Sequence, residues 1–303
     1  MKAAAFTEPG PPEVLRLTEL PDPQAGPGEV RVRVKAAGVQ PYDAAVRGGW
    51  EPPGLKLGWP RVPGNEFAGV VDQLGDGVTG VRKGTEVLGF TAVQAYAEYV
   101  VVPAENITPK PANMPWEVAG GFSAGAQTAH IALGELGIGE GDTLLVHAAA
   151  GSVGTIAVQL AKLRGATVIG TASEANQDYL RELGAIPIVY GDGLLDRVLA
   201  AAPGGVHAAL DGAGGAALEV SLELVKDRQR ILTLFEHDKA AGLGIKVIPA
   251  GRTAARLAEL AQLHAEGKLR FHVRRTLPLE QAAEAHREIE TGHGRGKIVL
   301  SVF

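Results

Sequence analysis

The chain has 303 residues, 46% hydrophobic and 21% charged, with 41 Gly and 19 Pro, a composition that excludes a disordered polypeptide and leaves room for two packed domains. Its formal net charge of −5 lacks the basic excess of a dedicated nucleic-acid binder. Zero cysteines exclude disulfides, cysteine nucleophiles and every thiolate zinc site.

From residue 1 to about 110 the chain reads as short strands cut by Gly, Pro and Asp. Val30, Val32 and Val34 alternate with charged residues across 28–35, the period of a half-buried strand. Residues 64–71, 85–89 and 96–102 are further strands, with turn signals such as Gly75-Asp76-Gly77 between them. The spacing predicts a compact, barrel-like antiparallel β unit. Beyond residue 111, strands at 143–147, 166–170, 186–189, 206–210, 230–234 and 245–248 interleave with helices at 153–164, 177–183, 194–202, 216–224 and 253–266. Repeated βα units of this length predict a parallel sheet with helices on both faces. After Lys268 a strand, a helix over 279–290 and a strand over 297–302 return to the first domain. The predicted division is therefore 1–110 with 267–303, and 111–266 between them.

The strand at 143–147 runs straight into Ala149-x-Gly151-x-x-Gly154 and a helix, where a dinucleotide fingerprint has Gly-x-Gly-x-x-Gly. Gly151 lets backbone approach a pyrophosphate, and Gly154 permits close packing of helix on strand. The helix N-terminus offers unpaired N–H groups to phosphate. An ordinary tight βα turn has the same description, but a second strand of the right length follows, which favours a dinucleotide. The eight histidines, among them His130, His147 and His207, show no metal-binding spacing and read as core or surface residues. No apolar stretch has the length of a signal peptide or a membrane span, so a cytoplasmic protein is expected. Four Asn, two Met and an excess of Arg over Lys lean towards a thermophilic source.

Several stretches in this order and spacing carry a resemblance: Ala36-Ala-Gly-Val-Gln-Pro-Tyr-Asp43, Val62-Pro-Gly-Asn-Glu-Phe-Ala-Gly-Val-Val71, residues 80–89, the loop from His147 to Gln159, residues 282–290 and Gly296-Lys-Ile-Val-Leu300. Over nearly its whole length the chain resembles the zinc-free quinone oxidoreductases of the medium-chain dehydrogenase/reductase superfamily. The resemblance implies an α/β fold with a GroES-like β-rich catalytic domain and an inserted Rossmann domain, a doubly wound parallel sheet. It implies a homodimer that reduces quinones or enones with NADPH. Zinc-dependent members of the superfamily place a Cys near Gln40 and a His-Glu pair at Asn65-Glu66, so no metal is expected here.

By position in the family, the catalytic candidates are Gln40, Tyr42 and Asn65, with Trp50 on a loop flanking the substrate cleft; Asp43 reads equally as a turn anchor. For Tyr42, Trp50 and Asn65, plain packing or surface placement is the competing reading. The cofactor candidates are Thr128, the loop residues Ala150, Gly151, Ser152, Val153 and Gly154, then Thr171, Asp211 and Gly212, with Leu234 and Phe235 towards the nicotinamide. NADPH is expected over NADH because Ser173 ends the second strand where NAD enzymes carry an acidic residue. Against this, Glu174 is adjacent and Asn176 replaces a lysine of the relatives; Tyr190 matches a family tyrosine at the phosphate, and Arg295 supplies a positive charge. Two rival functions stay open: reduction of enoyl thioesters or alkenals on the same fold, and a non-catalytic NADPH-binding or RNA-binding role.

Overall fold

The computed structural model describes residues 1–302. In chain order it contains β1 (Lys2–Ala5), β2 (Arg16–Glu19), β3 (Glu29–Val39), α1 (Pro41–Arg47), β4 (Glu66–Leu74), β5 (Glu86–Phe90), β6 (Tyr99–Pro103), β7 (Ile107–Pro109) and α2 (Trp116–Glu135). An alternating stretch follows: β8 (Thr143–Val146), α3 (Ser152–Leu163), β9 (Thr167–Ala172), α4 (Gln177–Glu182), β10 (Ile186–Val189), α5 (Leu194–Ala201), β11 (Ala208–Asp211), α6 (Gly215–Leu224), β12 (Ile231–Thr233), α7 (His237–Leu243) and β13 (Lys246–Val247). The chain ends with α8 (Ala254–Ala265), β14 (Val273–Pro278), α9 (Ala282–Glu290) and β15 (Lys297–Ser301).

Two compact units result: residues 1–124, 252–266 and 272–303 form the first, and residues 125–251 with 267–271 the second. The boundaries expected at 110/111 and 266/267 are displaced, because the start of α2 and all of α8 fall in the β-rich unit. A Cβ on Gly120 would lie 2.5 Å from that of Ala36, so this part of α2 rests directly on β3. The C-terminus of α8 is tied to the same unit, Asn113 Nδ2 donating to the Ala265 carbonyl at 2.9 Å. The glycines of α2 look like helix breakers in sequence and prove to be places of close approach.

The first unit is GroES-like and built around β3. Its strand order is β14-β15-β3-β4-β5-β7, with β6 also paired to β3. Val30, Val32 and Val34 are fully buried, as the alternation predicts. Pairing places Ile298 opposite Val39 and Ala37 opposite Phe67. The ends of β3, β4 and β15 therefore bring Gln40, Asn65 and Lys297 to one place, although 257 residues separate the first from the last.

The second unit is a Rossmann sheet. All its pairings are parallel, in the order β10-β9-β8-β11-β12-β13. Numbered from β8, this is the doubly wound order 3-2-1-4-5-6, whose direction reverses between β8 and β11, where such sheets bind ligands beyond their carboxyl ends. Leu145, Ile169, Ala209 and Ile231 fill the core beneath.

Candidate functional site

In the second unit the turn from β8 to α3 is built from backbone. Ala148 has φ +54°, so the left-handed position of this turn is held by an alanine. Ala149 N donates to the Thr171 carbonyl at 3.0 Å, stitching the turn to β9. A Cβ on Gly154 would lie 2.5 Å from Ala148 O and 2.6 Å from Ala149 Cα, so glycine is required where α3 crosses the strand end. Gly151 is looser, at 3.3 Å from Ala148 O. Ala150 is buried, whereas Gly151, Ser152 and Val153 are half-buried and open the first turn of α3. Gly125 brings α2 against this turn, its missing Cβ 3.2 Å from Ser152 O, and Thr128 lies half-buried one helical turn further on.

Beneath the loop, a buried network locks the strand ends. Thr171 Oγ1 and Ser221 Oγ each lie 3.0 Å from a ring nitrogen of His147, and burial pushes this imidazole down to about 4. Asp211 accepts from Ala213 N at 3.0 Å, Gly214 N at 2.8 Å and Thr233 Oγ1 at 2.7 Å. Thr233 Oγ1 in turn accepts from Phe235 N and Glu236 N. The side chains of Thr171 and Asp211 are thus buried and occupied in shaping the loops. Gly212 passes 2.9 Å, measured from its would-be Cβ, from His147 O; Leu234 is half-buried and Phe235 is exposed. At the tips of β9 and β10, Val189 pairs with Ala172, which sets Ser173 beside the exposed Tyr190. Asn176 Nδ2 donates to Ser173 Oγ at 3.1 Å, leaving the hydroxyl hydrogen of Ser173 to donate elsewhere. Arg295 belongs to the other unit, on the turn before β15, where its charge helps lower His272.

The first unit gathers a different set of groups. Lys297 ion-pairs with Glu66 at 2.6 Å with both side chains at 2% exposure or less, and Lys297 Nζ donates to Gln40 Oε1 at 3.0 Å. Gln40 Nε2 donates to Asn65 Oδ1. Asp43 is the turn anchor it also resembled in sequence: it accepts from Gln40 N at 3.1 Å and Tyr96 Oη at 2.9 Å. Burial lifts its carboxyl to about 7, against the pull of Lys297. Tyr42 is half-buried, packed edge-on at 5.2 Å against the exposed ring of Trp50. Arg252 Nη1 donates to the Asn65 carbonyl at 3.2 Å. Gln40, Tyr42 and Asn65 are thus brought into one neighbourhood, with Trp50 at its exposed side.

Sequence reading missed Lys297, the partnership of Glu66 and the place of Arg252. The available signal was a lysine opening an otherwise apolar, buried strand, Lys297-Ile-Val-Leu300. A buried charge of this kind needs a partner.

Comparison with known proteins agrees with this architecture. Residues 26–112 match the family described as "Alcohol dehydrogenase GroES-like domain", and residues 183–300 match "Zinc-binding dehydrogenase". A quinone oxidoreductase from Coxiella burnetii superposes with a TM-score of 0.90 at 32% identity, covering 100% of this chain and 99% of that one. The chain belongs to the quinone oxidoreductase family of the medium-chain dehydrogenase/reductase superfamily. A mycobacterial protein, Rv1454c, whose structure was solved with NADPH, shares 30% identity and a TM-score of 0.86, with full coverage of both chains. The pikromycin polyketide synthase component PikAII of Streptomyces venezuelae is 34% identical over 97% of this chain, which spans only 8% of that protein's length.

One of the matching descriptions implies zinc, and the residues here do not fit it. Zinc takes Cys, His or carboxylate donors in sets of three or four. Where the zinc-dependent members keep theirs, this chain has two amides bonded to each other and an ammonium on the lone carboxylate. No group of three or more His, Cys, Asp or Glu converges among the described residues. A nicotinamide dinucleotide does fit the second unit: the glycine turn and α3 N-terminus suit a pyrophosphate.

Proposed function

We propose that the protein reduces quinones or related conjugated carbonyls with NADPH, by a hydride transfer that uses no zinc. The observation that carries this reading is the Gln40–Asn65–Lys297–Glu66 network, which offers an amide hydrogen-bond donor backed by a buried ion pair in place of a Lewis acid. Oxidation of an alcohol needs a stabilised alkoxide, the usual task of the metal. A quinone or enone spreads the developing charge through its own conjugation, so donors suffice. Bound NADPH supplies the hydride. The second unit's task is to hold the dinucleotide through Gly151, Ser152 and the α3 N-terminus, with Thr128, Gly212, Leu234 and Phe235 towards the nicotinamide.

The 2′-phosphate preference is supported by Ser173, whose hydroxyl accepts from Asn176 and keeps its hydrogen to donate, and by Tyr190 beside it. The likeness to a protein solved with NADPH points the same way. A second reading, reduction of enoyl thioesters, is favoured by the likeness to a polyketide synthase component. We also propose a homodimer joined edge to edge, for which β10 and β13, each bonded to a neighbour on one side, are the edges of the sheet. Light scattering that returned a monomer at micromolar concentration would remove it.

The deciding experiment follows loss of reduced-nicotinamide absorbance with a panel of quinones, alkenals and enoyl thioesters, with and without a chelator. Quinones or enones should turn over at the same rate in both conditions. Stoichiometric zinc with activity lost to the chelator overturns the metal-free mechanism. Faster enoyl thioesters would select the second reading, and tight NADPH binding without any turnover would select a binding role.

A further inference from the structure

We infer that Lys297 and Gln40 are positioning residues that fix Asn65 as a hydrogen-bond donor to the acceptor's carbonyl oxygen. This rests on the reductase reading above. An ammonium group can only donate. Lys297 Nζ, 3.0 Å from Gln40 Oε1, therefore decides which way round the Gln40 amide lies. Gln40 turns its NH2 towards Asn65, and Asn65 must meet it with oxygen. What Asn65 has left is Nδ2, which bonds to nothing among the described residues.

The support behind this chain of groups is rigid. Glu66 neutralises Lys297 at 2.6 Å and is itself held through Oε2 by Ala124 N, also at 2.6 Å. Space for the ion pair comes from Gly38, whose Cβ would fall 2.1 Å from Glu66 Oε1 and 2.8 Å from Lys297 Cε. The Asn65 carbonyl accepts from Thr91 N at 3.1 Å and Arg252 Nη1 at 3.2 Å, which fixes its main chain. Ammonium, first amide and second amide point the same way, and aligned dipoles strengthen the last donor.

Such a donor has a use in the proposed reaction. When the conjugated carbon of the acceptor gains a hydride from NADPH, a C–H bond forms, NADP⁺ is left, and the C=O electron pair moves to oxygen. The resulting anion then takes a proton from water. A donor held in place before the charge appears stabilises that anion without reorganising.

Gln40→Glu is the sharpest test, since it keeps size and still accepts from Lys297. It also puts an oxygen against Asn65, which must turn its NH2 inward and present oxygen outward. Turnover should fall on the order of 100-fold through kcat, as for loss of one preorganised donor, with NADPH affinity and melting temperature unchanged. Asn65→Leu and Lys297→Met should fall similarly. Binding of p-nitrophenolate at a pH where it is ionised gives a readout independent of turnover, because a strong donor shifts its absorption band to the blue. Wild type should bind it with a shifted band, and Gln40→Glu should lose both the shift and about tenfold in affinity. Unchanged band and affinity in Gln40→Glu, or no binding by wild type, overturns the inference. A phenolate shift that depends on Gln40 in a protein that reduces no acceptor supports the relay and removes the reductase reading.

Discussion

The two units build their sites from opposite materials. The second unit uses backbone: a left-handed turn at Ala148, a glycine at 154 where nothing larger passes, and N–H groups at the start of α3. The first unit uses side chains, with a half-buried Gln40 and the buried Asn65, Glu66 and Lys297 gathered at the ends of β3, β4 and β15. A backbone site fails when a side chain intrudes, whereas a side-chain site fails when a charge or amide is turned round.

The largest effect should come from intrusion. In Gly154→Val a Cβ would sit within 2.6 Å of the backbone at Ala148 and Ala149, atoms that cannot yield as a flexible side chain does. Calorimetry should show NADPH affinity reduced by more than about 100-fold, roughly 3 kcal/mol. Ser152→Gly, which meets no such obstacle, should stay within a few-fold. Near-normal affinity in the valine variant would mean that α3 does not cross the strand end as described.

Ser173→Asp probes charge at the open end of the same unit. A carboxylate facing a 2′-phosphate loses the hydroxyl donor and adds repulsion, costing about 2 to 3 kcal/mol, or roughly 30- to 150-fold in NADPH affinity. NADH binding should change much less. A wild type that already prefers NADH in kcat/KM would make Glu174 the ribose ligand instead.

The pH dependence of stability separates the buried carboxyl from the buried imidazoles by sign. Asp43 in the first unit rises from 3.8 to about 7, so between these values the unfolded chain loses its proton before the folded one, and stability falls as pH rises. His147 in the second unit is lowered from 6.5 to about 4, and His286 in the first to about 3. Both bind fewer protons when folded, so their contribution to stability grows as pH rises towards 6.5. Asp43→Asn should therefore steepen the rise in melting temperature from pH 4 to 6.5 and remove the decline beyond it. His147→Gln should flatten the rise. Parallel curves for wild type and Asp43→Asn would show that the carboxyl is ionised throughout.

The same contrast governs what could be read before the fold was known. The Rossmann unit was legible because its signals are local: a strand, glycines at 151 and 154, a helix, then βα units in succession. The left-handed position of the turn falls on Ala148, outside the aligned Ala149, Gly151 and Gly154, where no glycine marks it in sequence. Gln40 and Asn65 were singled out by position in a family, but their bond to each other and to Lys297 depends on β15 returning beside β3, which no local pattern encodes. The long α2 was hidden by Gly120, Gly121 and Gly125, which weaken a helical pattern in sequence while serving its packing.

The smallest effect tests that turn. At φ +54° Ala148 is strained by about 1 to 2 kcal/mol relative to a right-handed alanine, and glycine at this position escapes the cost. Glycine also widens the unfolded ensemble, which takes back roughly 0.4 to 1 kcal/mol. Ala148 is exposed, so no packing is lost with its methyl group. Ala148→Gly should therefore raise stability by less than about 1 kcal/mol in urea unfolding, the difference between those two opposing effects. NADPH affinity should stay within a factor of about two, because the backbone already has the conformation that glycine would adopt there. A loss of more than 1 kcal/mol would place Ala148 in the right-handed region and require the β8–α3 turn to be redrawn with another residue at its left-handed position.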